Sequence, residues 1–322
     1  MLSGIIYTYT IKEANMEQIF DVLIIGGGAG GYTSALYACR AGLDTAVIEK
    51  MSAGGQMALT DIVDNYPGFD EGINGFALGM KMKKGAERFG AKTIYAEVLS
   101  VDFSEKIKKV KTANKTFLSK AVIIATGANP RKLGLENEQE FTGRGIHYCA
   151  HCDGRFYKDK TVVVIGGGNS AVADALYMSR IAKKVYIVHR RDTLRATKVY
   201  NDPLMQAENV EFIWNSTVTE FITDKRVVGA KIKNVNTGNI TDIDCDAIFV
   251  SIGRSPATEF LNGIFELDKN GYIIADESTK TNIPGAYAVG DVRTKALRQI
   301  VTAVSDGATA VHFAEEYISS DF

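Results

Sequence analysis

No apolar stretch in this sequence approaches the ~18 residues that a membrane-spanning helix requires. The longest, such as Ala121–Ala125 and Val162–Ile165, are the size of a single strand. The start of the chain has neither a basic n-region nor a long apolar core, so no secretory leader is expected. Proline is scarce, at 5 of 322 residues, and cysteine scarcer still, at 4. So few cysteines cannot build the disulfide framework of a small secreted domain, and the expected compartment is the reducing cytoplasm. A close cysteine pair there serves catalysis or metal binding rather than stapling. Neither sign of charge is in excess: 37 Lys+Arg against 38 Asp+Glu leave a net charge of -1. That balance excludes a global pull toward nucleic acid or an anionic membrane. With 46% hydrophobic and 23% charged residues there is apolar surface enough for cores, which excludes disorder over most of the chain. The length suits about two domains at ~150 residues each. Glycine is what the chain has in quantity, with 31 residues. Glycine without proline points to tight turns and to close approach of backbone to a ligand.

An internal echo organises the chain. Phe20-Asp-Val-Leu-Ile-Ile-Gly-Gly-Gly-Ala-Gly-Gly31 returns as Lys160-Thr-Val-Val-Val-Ile-Gly-Gly-Gly-Asn-Ser-Ala171. Each copy reads as a buried strand, a glycine turn and a helix. The first strand is expected over Phe20–Ile25, the helices over Tyr32–Ala41 and Ala171–Ala182, and the following strands over Thr45–Glu49 and Lys184–His189. Two such βαβ units in one chain predict two nucleotide-binding domains. Strand-like runs at Ala121–Ala125 and Ala247–Ile252, each ending in a glycine-containing exit, bracket the second copy; Asn282–Asp291 and a helical run over Ile300–Ile318 follow. The expected fold is therefore α/β, with two Rossmann-like dinucleotide-binding domains, the second inserted into the first. The outer domain would span 1–127 and 254–322, and the inner domain 128–253. Met1–Asn15 have no clear period and read equally as an extension or as an upstream start.

The glycines have distinct tasks. Gly26 permits the turn after the strand, Gly28 lets backbone approach a pyrophosphate at the helix N-terminus, and Gly31 lets helix and strand pack closely. Glu49 follows about 20 residues on, where a carboxylate accepts from a ribose hydroxyl. In the second copy, after Gly166 and Gly168, that place falls on His189, followed by Arg190 and Arg191, with Arg195 a turn later. Guanidinium forks there would bind a 2′-phosphate that a carboxylate would repel. Two sites of opposite charge preference fit a resident flavin dinucleotide in the first and a visiting NADPH in the second.

Cys149-Ala-His-Cys152-Asp153 is the one close cysteine pair. Its i, i+3 spacing allows a disulfide. A four-residue loop yields only about 2 kcal/mol of stabilisation, so redox cycling explains it better than stapling. Asp153 is placed to serve as its proton donor and acceptor. Metal binding is the rival, since His147, Cys149, His151 and Cys152 are four potential ligands in six residues. A tetrahedral site, however, usually draws ligand pairs from two separated segments, and Cys39 and Cys245 are isolated and read as core. His151 reads as a modulator of the thiols. The pair lies just ahead of Gly166, so dithiol and NADPH would ride on one domain and share a flavin held by the other. That arrangement implies a swing of the inner domain between two docked positions.

These residues together resemble the low-molecular-weight, bacterial-type thioredoxin reductases from roughly Met16 to the C-terminus. The matching motifs are Gly26–Gly31, Gly54–Gln56, Asp64–Gly68, Ala125–Gly127, Cys149–Asp153, Gly166–Ala171, His189–Arg195 and Gly290-Asp291 with Arg298-Gln299. The resemblance implies FAD held by Gly26, Gly28, Gly31, Glu49, Gln56, Asn65, Asp291, Arg298 and Gln299. It implies NADPH held by Gly166, Gly168, Ser170, His189, Arg190, Arg191 and Arg195. Cys149 and Cys152 would be the redox disulfide with Asp153 as acid/base, thioredoxin the partner, and the enzyme a homodimer in the cytoplasm. The family usually has Thr or Val where His151 stands, and Phe where Leu194 stands. Its ferredoxin-linked members lack the arginine motif that this chain keeps. Another disulfide protein as acceptor, a ferredoxin-linked donor, and a metal or redox sensor on the same scaffold are the alternatives at this point.

Overall fold

The computed structural model describes residues 18–60, 62–261 and 263–322; the reading of Met1–Asn15 lies outside the described residues. The first copy of the repeat forms the centre of a seven-stranded sheet. Ile19–Ile25 pairs in parallel with Thr45–Glu49 on one side and with Thr116–Ile124 on the other, and Lys92–Tyr95 extends the sheet beyond Thr45–Glu49. Thr116–Ile124 divides its far edge between two neighbours. Its first half pairs antiparallel with Lys108–Thr112, and Val122–Ile124 pair in parallel with Ala286–Ala288. The hairpin to Val98–Asp102 closes that side.

Side chains of a strand alternate between faces, and both faces of this sheet are covered. Val22 and Ile24 pack with Ala35 and Ala38 of the helix Ala29–Arg40 and with Ala310 and Ala314 of the helix Ile300–Asp321. Leu23 and Ile25 pack the other way, against Phe103, Val110 and Phe265. Each such buried Leu or Ile stabilises the fold by roughly 1.5–3 kcal/mol.

The second copy builds a separate five-stranded parallel sheet in the order Val210–Ile213, Lys184–Val188, Thr161–Ile165, Ala247–Val250, Ile146–His147. Val162 and Val164 face the helix Asn169–Ser179. Val163 and Ile165 face a three-stranded antiparallel sheet of Ser216–Thr223, Val227–Asn234 and Ile240–Asp244. The architecture is thus two Rossmann-like α/β units, the second inserted in the first. The chain passes between them twice, through Ala128–Pro130 and Arg254–Pro256, which pair antiparallel. Among the described residues no helix is long and apolar enough to cross a membrane.

Several boundaries differ from the sequence reading. Both repeat helices begin earlier than expected, at Ala29 and Asn169, so Gly30 and Gly31 lie inside the first turn. They are tolerated there because packing requires them: a Cβ on Gly31 would collide with the Gly26 carbonyl, and one on Gly30 would press on Val289 and the Ala303 carbonyl. The run at Ala121–Ala125 is the end of a longer strand that stops at Ile124. The strands at Lys184 and Ala247 end at Val188 and Val250. The last helix extends to Asp321.

Candidate active site

Each glycine turn follows the carboxyl end of a strand paired in parallel on both sides and opens a helix. Gly26 takes φ +108° and Gly166 φ +144°, backbone that favours glycine, and each abuts a backbone carbonyl, Ala125 O and Ser251 O respectively. Gly28 and Gly168 are different. They have ordinary φ values of -82° and -95°, and a Cβ on either would meet nothing within 4 Å. Nothing inside the protein demands glycine at these two places. A phosphate brought against the helix N-terminus does.

Of the residues expected to hold FAD, Glu49 and the turn carrying Gln56 lie directly at the first glycine turn. Glu49 Oε2 accepts from the Gly27 N–H at 2.6 Å and its Oε1 from the Met51 N–H at 3.0 Å, so the carboxylate braces the loop while keeping lone pairs free. The Gly27 carbonyl accepts from the Gly54 N–H, which sets the turn carrying Gln56 beside Gly28. Asn65 Nδ2 donates to Gln299 Oε1 at 3.0 Å, and Gln299 caps the last helix in a capping box with Thr302. Burial pushes the Asp291 carboxyl up, against the charges of Arg254, Arg298 and Lys295. Arg298 lies over the Tyr272 ring at 4.1 Å, and its buried Nε has no partner among the described residues. An orphaned buried donor whose charge acts on the half-buried Asp291 carboxyl fits a dinucleotide flavin.

Beneath this loop lies a network that sequence reading missed. Asp306, 5% exposed, accepts from Arg293 at both oxygens (2.7 and 2.9 Å), from Lys295 at 2.7 Å and from the Gly290 N–H at 2.8 Å. Burial opposes its ionisation, but the bonds from Arg293 and Lys295 outweigh burial and hold the carboxyl below its usual range. Its contribution to stability is therefore present above about pH 4 and lost as the pH falls below that. Asp306→Asn, which leaves the buried Arg293 only the exposed Glu277 carboxylate at 3.7 Å, is expected to cost about 3–5 kcal/mol in urea unfolding at pH 7. The difference from the parent protein should shrink on acidification.

The second turn is organised by His189. Its ring is 4% exposed and lies directly beneath Gly167, where any Cβ would collide with it; its Nε2 has no partner among the described residues. Burial, then the charges of Arg195, Arg190 and Arg191, keep the imidazole's pKa below its ordinary value. The Arg195 N–H donates to the Gly167 carbonyl at 2.7 Å, and the Arg191 carbonyl accepts from the Asn215 N–H at 3.1 Å. Both ends of the basic segment are thereby fixed to the cradle while the side chains of Arg190, Arg191 and Arg195 stay exposed, as does Ser170 in the first helical turn. Among the described residues no carboxylate pairs with any of the three arginines. Three unneutralised guanidiniums beside a helix N-terminus fit a dinucleotide with an extra phosphate.

Cys149 and Cys152 form a disulfide across the short helix Ala150–Asp153, with Cα atoms 5.3 Å apart. Ala150, between the two cysteines, packs into the core of the second unit. His147 does not join a ligand cluster: its Nδ1 is 3.2 Å from Asp153 Oδ2 and its Nε2 2.7 Å from the Tyr157 hydroxyl. His151 stacks on Tyr177 at 4.5 Å with Nδ1 3.5 Å from Asp174, which also accepts from Ser251 Oγ at 2.5 Å. Arg155, just past the pair, forms an ion pair with Asp64 on the first unit. The two remaining cysteines are core-packed. Burial raises the Cys39 thiol, and burial with the Asp246 and Asp244 charges pushes Cys245 up to about 12.

Two open cradles with opposite charge, one carrying a redox disulfide beside it, define a disulfide oxidoreductase that works with two dinucleotides. Residues 20–307 match the pyridine nucleotide-disulphide oxidoreductase family. The thioredoxin reductase of Listeria monocytogenes is 47% identical over 306 residues, covering 95% of this chain and 96% of that protein. The crystal structure of thioredoxin reductase from Streptococcus pyogenes superposes with a TM-score of 0.86 at 44% identity, covering 94% of this chain and 99% of that one. That of Lactococcus lactis, in what is described as the FR conformation, has 42% identity over the same shares and a TM-score of 0.69. The chain belongs to the pyridine nucleotide-disulphide oxidoreductases and, within them, to the thioredoxin reductase family. It is a flavoprotein disulfide oxidoreductase that uses a nicotinamide cofactor.

Proposed function

We propose that this chain is an NADPH-dependent thioredoxin-disulfide reductase, acting as a cytoplasmic homodimer. The observation that carries the proposal is the disulfide Cys149–Cys152 on the same unit as a cradle with three exposed arginines that no carboxylate pairs with among the described residues. Its relatives are named for thioredoxin, and the open arginines favour the 2′-phosphate of NADPH. FAD would be held in the unit 1–127 and 254–322 by Gly26, Gly28, Gly31, Glu49, Gln56, Asn65, Asp291, Arg298 and Gln299. NADPH would be held in the unit 128–253 by Gly166, Gly168, Ser170, Arg190, Arg191 and Arg195, with His189 supporting the loop from below.

When bound, the flavin supplies the chemistry that takes two electrons from the nicotinamide and yields them to the disulfide. The chain positions the exchange. Glu49 and the glycine turn orient the flavin nucleotide, Cys149 and Cys152 accept the electrons, and Asp153 moves a proton at the sulfurs. Because dithiol and NADPH belong to one unit, a swing of that unit about Ala128–Pro130 and Arg254–Pro256 would bring each to the flavin in turn. Two relatives of nearly equal identity and coverage superpose with TM-scores of 0.86 and 0.69, which supports a movable relation between the units.

Anaerobic mixing tests the proposal. NADPH is expected to bleach the visible flavin absorbance, and oxidised thioredoxin to restore it. Bleaching without recovery would mean a different disulfide acceptor. No bleaching by NADPH, with bleaching by dithionite, would remove NADPH as the donor.

A further inference from the structure

We propose that Asp306 is a positioning residue of the flavin cradle: it locks the segment 290–298 so that Asp291 and Arg298 meet the flavin already in place. The inference rests on the assignment of those two residues to FAD above.

Asp306 lies in the second turn of the helix Ile300–Asp321, which Gln299 caps. Its two oxygens are used unequally. Oδ2 accepts from the Gly290 N–H at 2.8 Å, from Arg293 Nε at 2.9 Å and from Lys295 Nζ at 2.7 Å; Oδ1 accepts from Arg293 Nη2 at 2.7 Å. All these donors belong to one loop, 290–295. Backbone bonds fix the middle of that loop: the Val292 carbonyl accepts from the Ile273 N–H at 3.0 Å, and the Thr294 N–H donates to the Ile273 carbonyl at 2.9 Å. Its two ends are tied by Asp306.

Both flavin residues hang on those ties. Asp291 follows Gly290 directly, and Gly290 takes φ +69°, a left-handed turn whose N–H is pinned by Asp306. On the other side, Arg298 Nη2 donates to the Arg293 carbonyl at 3.3 Å. The Arg293 guanidinium is clamped by Asp306, and its Nη1 also donates to the carbonyls of Thr294 at 2.9 Å and Ala275 at 3.2 Å. Arg298, with its orphaned Nε, is thus held by a two-step chain that begins at Asp306.

The same helical turn reaches the phosphate end of the cradle. A Cβ on Gly307 would strike the Gly30 carbonyl at 2.5 Å, and the Ser34 hydroxyl donates between the carbonyls of Gly30 and Gly307, at 2.9 and 3.2 Å. Asp306 therefore stands where the first glycine turn's helix, the Asp291 turn and Arg298 come together. A site whose groups are already in place gives up less freedom on binding, and so binds more tightly. Asparagine cannot replace the carboxylate. Its amide nitrogen would face the three donors at Oδ2 in one orientation, and Arg293 Nη2 in the other.

The test reads FAD binding rather than turnover. Loaded full-length protein is diluted in steps, free FAD is measured in the ultrafiltrate, and circular dichroism of the same samples establishes that the chain stays folded. Asp306→Asn is expected to raise the Kd for FAD about tenfold or more, the scale of one charge-assisted hydrogen bond. Val110→Ala is the control, since Val110 packs with Leu23 and Phe103 on the opposite face of the same sheet. It should lower stability and keep the parent's Kd. An unchanged Kd in Asp306→Asn overturns the proposal, as does an equal rise in Val110→Ala, which would mean general loosening. If Asp306→Asn is not recovered folded, Lys295→Met decides, because Arg293 still pairs the carboxylate there. A rise of about threefold that persists at high salt supports the proposal; an unchanged Kd, or a rise that salt abolishes, overturns it. Asp291→Ala is measured beside these variants. If it leaves the Kd unchanged while Asp306→Asn raises it, the flavin assignment of Asp291 falls and Asp306 acts through Arg298. If it raises the Kd while Asp306→Asn does not, the positioning alone falls.

Discussion

With Cys152 changed to serine, NADPH is expected to bleach the flavin as before, while thioredoxin reduction falls on the order of 10⁴-fold, the scale of losing a nucleophile. Serine keeps the size of the side chain, and a four-residue loop contributes only about 2 kcal/mol through its disulfide. The loss would therefore be chemical, and thermal unfolding should move by a few degrees at most. No other thiol can substitute. Cys245 is 5% exposed with its thiol pushed up to about 12, and Cys39 is packed against the core of the other unit. Stopped-flow flavin absorbance measures the first half-reaction, and thiol release from oxidised thioredoxin the second. Retained thioredoxin reduction would refute the assignment of the pair.

The second large effect is expected from Arg190→Ala combined with Arg191→Ala. Each removed guanidinium forfeits about 1.5–3 kcal/mol of charge-assisted hydrogen bonding to a 2′-phosphate. At about 1.4 kcal/mol per decade, the KM for NADPH should rise about 100-fold or more, and that for NADH less than about threefold. Because both side chains are exposed and have no carboxylate partner among the described residues, their removal should not disturb folding. Steady-state kinetics with both nucleotides, at fixed ionic strength, separates this from general screening. An equal loss for NADPH and NADH would mean that the pair does not read the phosphate.

Much of this was legible in the sequence, for a definite reason. Parallel strands covered on both faces are solidly apolar, so Thr45–Glu49 was bounded correctly and Ile19–Ile25 to within one residue. The antiparallel strands Lys108–Thr112, Val227–Asn234 and Ile240–Asp244 carry lysines, aspartates and threonines on exposed faces, and no such run announced them. Helix starts were placed late because glycine is a poor helix former, whereas here Gly30 and Gly31 are needed for close packing. The glycine turns and the basic segment could be found by spacing. Asp306 could not, because its partners sit on an irregular loop with no periodic pattern to align them with the helix, and the Arg155–Asp64 pair could not, because it joins the two units. His147 was visible only as a potential metal ligand; its contact with Tyr157 depends on the turn after the disulfide.

The divided edge of Thr116–Ile124 has a consequence for how the chain is made. Its upper half waits for Ala286–Ala288, and residues 125–285 must leave the ribosome in between. At about 5–20 residues per second that is roughly ten to thirty seconds with Val122, Ile123 and Ile124 lacking their neighbour on one side. A bare apolar strand edge invites pairing with another chain. The inserted unit shortens the exposure. Once its own sheet has formed, Ala128–Pro130 and Arg254–Pro256 zip together, and the loop still to be closed shrinks to the few turns before Ala286. Destabilising the inserted sheet should thus harm the yield of the flavin unit during synthesis, even where the finished enzyme tolerates the change.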